Sequence, residues 1–288
     1  MKIAAPHLPF AYLTGICSTL KTLEDCCDLE LFMWNTEKPL MDVLDEVKPD
    51  LLFLYQDQVN TVLDLAAESM NFNYIVLTSA PVQVSKQPAI YITDHEYIKN
   101  FIRYQRNTLM VKPSANVAQI HNGKASKDLE SDICIFNIDI NIGIEHLRAI
   151  EWMVSKYNVK IFGPQKMNFP NYLGSTNIFE RANILKSSKV CIDLGNFDCL
   201  DASYLQVAPV VFNGSQSQYK NFKSIKSLEE ILHDIVYDNK NRETYCNEVY
   251  KNVIQGKTFY HRVAEMFTLL SDQTRSRQCL NKLKELIS

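Results

Sequence analysis

Val47-Lys48-Pro49-Asp50-Leu51-Leu52-Phe53-Leu54-Tyr55 is the stretch that decides the fold. Its last five residues are apolar at every position, with no polar alternation, and a strand of that kind needs cover on both faces. The four residues ahead of it read as a helix end and a turn, because a proline pushes the residue before it out of the helical region. Helix, turn and doubly buried strand together are a piece of a βαβ unit, and the same rhythm runs outward in both directions.

Toward the N terminus the pattern gives strands at 2–6 and 29–34, with helices at 13–26 and 41–47. Beyond Tyr55 it gives a helix at 59–70, strands at 74–78 and 89–93, and a helix from about 95 to 105 capped by Thr93 or Asp94. Periodicity then fades over 112–131, where Pro, Ser, Asn, Gly and Lys collect, and this reads as a linker. After it the rhythm restarts. Strands at 133–138, 159–162, 190–194 and 209–212 alternate with helices at 144–156, 178–186 and 200–207, and from Ser227 the pattern is helical to the end. The expectation is an α/β chain of two Rossmann-like, doubly wound domains.

Composition agrees. A chain of 288 residues exceeds the usual size of one core, so two are expected. An apolar fraction of 46% with 22% charged residues is ordinary for a globular protein. The formal charge of −3 gives no general reason to bind nucleic acid, and no apolar run approaches the roughly 18 residues of a membrane span. A cytoplasmic address is the expectation. Cys17, Cys26, Cys27, Cys134, Cys191, Cys199, Cys246 and Cys279 form no CxxC pair and read as reduced thiols.

In open parallel sheets ligands bind beyond the carboxyl ends of the strands. The loops there that stand out are Gly163-Pro164-Gln165, Gly195-Asn196-Phe197-Asp198 and Asn213-Gly214-Ser215, each placing a glycine close behind a strand. Each is a turn or a ligand contact, and their recurrence on one edge points to a common cleft. His7, just past the first strand, is either structural or a general base. GxGxxG, Walker A, GxSxG and HExxH motifs are missing, as is a DxD pair.

The run from Ile133 to Arg262 resembles the C-terminal half of GT-B glycosyltransferases, and within them the CgeB-like spore-maturation group. The matching pieces are 133–150, Val159-Lys160-Ile161-Phe162-Gly163, the stretch 182–192, Ala208-Pro209-Val210-Val211, and a helical part with Arg242 and Thr258-Phe259-Tyr260-His261-Arg262. The resemblance implies a glycosyltransferase that moves a sugar from a nucleotide-diphosphate sugar, UDP-linked, to an acceptor hydroxyl. It implies no obligatory metal and no further cofactor. The acceptor, a glycan, a small molecule or a modified nucleic acid base, stays open.

By the same resemblance Gly163, Pro164, Gln165, Asn177 and Ile178 would flank the base, while Gly143, Gly195, Asn196, Asp198, Asn213, Gly214 and Ser215 would line ribose, phosphates or sugar. The expected domains are 1–111 and 132–271, with 272–288 crossing back to the first. His7, Ser79, Asp94 and His95 are the candidate catalytic groups on the first domain. Two departures stand out. The family's ribose-binding glutamate and neighbouring arginine fall on Ala202 and Cys199, leaving Asp201 and Asp198 as the substitute carboxylates. Asp198 is equally readable as a helix cap. A non-catalytic nucleotide-binding protein is the competing expectation. A fainter similarity to phage DNA glucosyltransferases places their catalytic aspartate near Ser79 and their phosphate arginines near Asn141 and Glu145.

Overall fold

The computed structural model describes residues 1–6, 14–35, 37–55, 72–77, 90–93, 108–110, 112–137, 143–164, 168–194, 198–214 and 217–288. The chain divides into two compact units, one of Met1–Lys112 with Phe259–Ser288 and the other of Pro113–Thr258.

Among the described residues the first unit opens with β1 (Lys2–Pro6), α1 (Thr14–Cys26), β2 (Glu30–Trp34), α2 (Leu40–Val47), β3 (Leu51–Tyr55), β4 (Asn73–Leu77), β5 (Ile90–Thr93) and β6 (Thr108–Met110). The strands form one parallel sheet in the order β2-β1-β3-β4-β5-β6. Strand β3 behaves as its composition requires. Leu51 and Phe53 join a core with Ile3, Ala5 and Ile75, while Leu52 and Leu54 join a second core with Ala4, Trp34, Val43 and Val76. Because successive side chains leave a strand on opposite sides, these are the two faces of one sheet. Helix α2 stops where the sequence said it should: Lys48 takes a left-handed conformation (φ 49°) and its N–H bonds Leu44 O, one residue before Pro49.

The second unit contains α3 (Val117–Ile120), a 3₁₀ turn (Lys127–Leu129), β7 (Ser131–Ile135), α4 (Ile144–Lys156), β8 (Val159–Ile161), α5 (Ile178–Lys186), β9 (Ser188–Asp193), α6 (Asp198–Tyr204), β10 (Ala208–Phe212), β11 (Lys220–Phe222), α7 (Ile225–Tyr237) and α8 (Asn239–Ile254). Its parallel sheet runs β11-β10-β9-β7-β8. The stretch 112–131 is more than a spacer. It carries α3, and its Ala115 N–H bonds Lys257 O at 2.8 Å, tying the start of this unit to its end.

The chain returns to the first unit at Phe259, ahead of the expected 272, through α9 (Phe259–Leu269) and α10 (Gln273–Ile287). The reason is burial: Val263, Met266 and Phe267 on α9 are fully enclosed in the core that holds Ile3 and Phe53. Among the described residues no helix is long and apolar enough to cross a membrane.

His261 on α9 gives the first unit a pH dependence. Burial holds its imidazole below the ordinary 6.5, and the charge of Arg262 adds to this while Glu265 opposes it. The unfolded chain therefore takes up a proton near pH 6.5 that the folded chain refuses, so this contribution is present above that pH and is lost as the pH falls. Urea unfolding at pH 7.5 and 5.5 is expected to show a smaller acid loss for His261→Gln than for the parent chain.

Candidate functional site

In the second unit the strand order reverses between β7 and β9, since β8 lies on the far side of β7 and β9 on the near side. Such a switch point opens a crevice beyond the strand ends, because the crossover helices leave it on opposite faces. Along that edge stand, in spatial order, the ends of β10, β9, β7 and β8, followed by Asn213, Leu194, Phe136 and Phe162.

The switch point itself is occupied by charge. Arg181, one turn into α5, donates through Nη2 to Asp198 Oδ1, and the same nitrogen lies 4.0 Å from Asp201 Oδ2. Its guanidinium sits 4.8 Å from the centroid of the Phe136 ring, just past β7. Asn137 follows in a left-handed conformation (φ 54°) that directs Nδ2 to 3.5 Å from Asp198 Oδ1. Asp193, the buried last residue of β9, accepts the Cys199 N–H at 3.0 Å and so anchors the start of α6 to its strand.

Asp198 and Asp201 are 1% and 3% exposed. Asp201 accepts three hydrogen bonds from Asn116, one from N at 2.8 Å and two from Nδ2 at 3.1 and 3.2 Å, which fix the entry to α3. Both carboxylates thus have protein partners, and Asp198 is the first residue of α6 although the sequence pattern started that helix at Leu200. Among the described residues Asp198 Oδ2 and Arg181 Nε are buried without a hydrogen-bond partner.

A second group forms over the end of β10. Gly143 is the N-cap of helix α4 and has no side chain with which to cap it, so among the described residues the first-turn N–H groups have no N-cap side-chain partner. His146 from that turn lies against the Phe212 ring at 4.2 Å between centroids, and its Nδ1 is buried without a partner. A β-carbon on Gly143 would stand 3.2 Å from that nitrogen. Asn213 is left-handed (φ 52°), and at Gly214 a β-carbon would meet Val211 Cγ1 at 2.6 Å, which excludes larger residues there.

The other expected positions are placed as follows. Gly163 at the end of β8 is buried and donates its N–H to Gly174 O at 3.0 Å, and Pro164 beside it is exposed. Asn177 caps α5: its Oδ1 accepts from Phe179 N and Glu180 N at 3.0 and 2.9 Å, while Glu180 Oε2 accepts the Asn177 N–H at 3.1 Å. Ile178 is half-buried behind it, and Phe179 next in line is 62% exposed. His7, Ser79, Asp94, His95, Gln165, Gly195, Asn196 and Ser215 lie outside the described residues.

Sequence reading missed Arg181, Asn116, Asn137, Asp193 and His146. Only Arg181 carried a local signal, an arginine four positions after a strong N-cap residue on the helix preceding Asp198.

No protein-family model matches the chain, and no curated protein matches its sequence. Solved structures do. HepE from Anabaena, in complex with UDP and glucose, superposes with a TM-score of 0.61 at 9% identity, covering 94% of this chain and 99% of that one. Sucrose-phosphate synthase from Thermosynechococcus elongatus gives 0.61 at 9% identity, over 94% and 98%. A UDP-GlcNAc 2-epimerase from Neisseria meningitidis bound to UDP-GlcNAc gives 0.55 at 11% identity, over 94% and 100%. At such low identity the likeness speaks for architecture: the chain has an α/β fold of two parallel-sheet units with returning C-terminal helices, on the GT-B plan of these structures.

Proposed function

We propose that the chain is a nucleotide-sugar-dependent glycosyltransferase, with the donor seated by the second unit on the carboxyl edge of its sheet. The observation that carries this reading is α4. It is the first crossover helix of the unit, its first turn packs His146 against Phe212 at the end of β10, and its N-cap residue, Gly143, brings no side chain to the helix N–H groups, the arrangement that suits a diphosphate. The fold likeness to proteins solved with UDP, UDP-GlcNAc and UDP with glucose supports a UDP-linked donor. In the reaction an acceptor hydroxyl would attack the anomeric carbon while oriented N–H dipoles stabilise the departing nucleotide diphosphate, without a metal. The base would come from His7, Ser79, Asp94 or His95. The CgeB-like grouping belongs to this proposal as well, resting on the short matching pieces of 133–262.

A second reading has its own observation. Ala202 stands where the resembled enzymes carry their ribose glutamate, and the neighbouring carboxylates Asp198 and Asp201 are engaged by Arg181 and Asn116. A binding protein without transferase activity would look this way.

One experiment tests both. Thermal unfolding with UDP, UDP-glucose, UDP-GlcNAc and the corresponding guanosine and thymidine compounds is expected to show stabilisation by the uridine set, about 2.7 kcal/mol at a hundredfold the dissociation constant. Release of UDP that depends on added acceptor supports the transferase, and binding without release supports the second reading. No shift with any nucleotide overturns both.

A further inference from the structure

Three cysteines of the first unit converge at one point, although the third lies 252 positions along the chain from the second. Cys26 is the last residue of α1, Cys27 follows it, and Cys279 lies within α10. Their sulfurs stand 3.5 Å (Cys26 to Cys27), 3.7 Å (Cys27 to Cys279) and 2.7 Å (Cys26 to Cys279) apart. Cys279 is fully buried in the core beneath α1, whereas Cys26 and Cys27 are half-buried and give the cluster an open side. We infer that Cys26, Cys27 and Cys279 form a trithiolate site for a soft d¹⁰ cation, Zn²⁺ or Cu⁺, that clamps α10 to the end of α1.

Three converging sulfurs offer an ion one donor more than a disulfide can use. Metal–sulfur bonds of about 2.3 Å at tetrahedral angles set sulfurs roughly 3.8 Å apart, close to two of the three separations here. The third edge opens by turning Cys26, which sits at a helix end with solvent on one side. A disulfide would use two sulfurs and leave the third pressed against it. Donor chemistry narrows the ion: three thiols with no carboxylate or imidazole in the cluster, among the described residues, select soft thiophilic metals. Zn²⁺ would keep a water or other exogenous ligand on the open side, whereas Cu⁺ is complete with three sulfurs.

The test uses the full chain, reduced, stripped with a chelator, and titrated anaerobically with Zn²⁺ or with Cu⁺. One ion per chain is expected, with release of thiol protons and a rise in the melting temperature. Whichever ion survives competition with a graded series of chelators names the metal. Cys26→Ser and Cys27→Ser, both at half-buried positions, are each expected to weaken binding by at least about a hundredfold. Cys246→Ser, in the other unit, serves as control and is expected to bind like the parent. Failure of the fully reduced chain to take up either ion at one equivalent overturns the inference. So does binding that survives the Cys26→Ser/Cys27→Ser double variant, or mass spectrometry showing a Cys26–Cys279 disulfide that re-forms in preference to metal uptake.

Discussion

Replacing Arg181 with leucine is expected to destabilise the second unit by about 3–5 kcal/mol, because it leaves the Asp198 carboxylate, 1% exposed, buried without its counter-charge. For a unit of this size that is a fall in melting temperature on the order of 10 °C. The cause has a signature that loss of packing lacks. An unpaired buried carboxylate has its pKa raised, so its stability contribution is present below the unfolded value near 3.9 and is lost as the pH rises. The deficit of Arg181→Leu relative to the parent should therefore shrink as the pH is lowered toward 4. Adding Asp198→Asn, which removes the charge, should recover much of the loss at neutral pH. A variant that melts within about 1 kcal/mol of the parent at pH 7 would mean that water reaches Asp198 and that the pair is a surface ion pair in energetic terms.

Tyr245→Phe is expected to cost roughly 2–4 kcal/mol, a large effect for the loss of one oxygen atom. The hydroxyl donates to Pro209 O at 2.6 Å and accepts the Lys220 N–H at 2.9 Å, so it joins the start of β10 to the start of β11 from outside the sheet. Removing it strands a carbonyl and an N–H together, and the ring, 8% exposed, admits little water to replace it. Hydrogen exchange supplies the check. Protection is expected to fall first at Lys220 and at the β10–β11 ladder, while the β7–β9 ladder keeps most of its protection. Uniform loss over the whole sheet would show instead that β11 forms part of the unit's cooperative core.

Much of the architecture was legible from local pattern. Leu51-Leu52-Phe53-Leu54-Tyr55 announced a strand covered on both faces, and both cores are present on its two sides. Helices α4 and α5 begin and end where the sequence placed them, since Gly143, Asn177 and the apolar spacing that follows are all read within one or two turns. Strands β6 and β11 were missed. Each has three residues, too few to show any period, and each exists because a neighbouring strand offers it a ladder.

The candidate site was legible only in part, because the carboxyl edge follows from the βα rhythm while the partners across it do not. Asn177, Asp198 and Asp201 were all singled out from sequence. Their partners Arg181 and Asn116 were not, since Arg181 reaches Asp198 across 17 residues and Asn116 reaches Asp201 across 85. The three-cysteine cluster went unread for the same reason, since Cys279 lies 253 positions along the chain from Cys26.

The sequence by itself determined the alternation of strands and helices, the doubling of that plan, and where individual helices start and stop, because these depend on side-chain period and turn chemistry over a few residues. Tertiary structure alone decided that β9 lies beside β7, that Arg181 therefore meets Asp198 over Phe136, and that α10 brings Cys279 to the end of α1. Those contacts depend on strand order and on which helix covers which face, and burial of apolar surface rewards any arrangement that hides it, so nothing local in the chain names the partner.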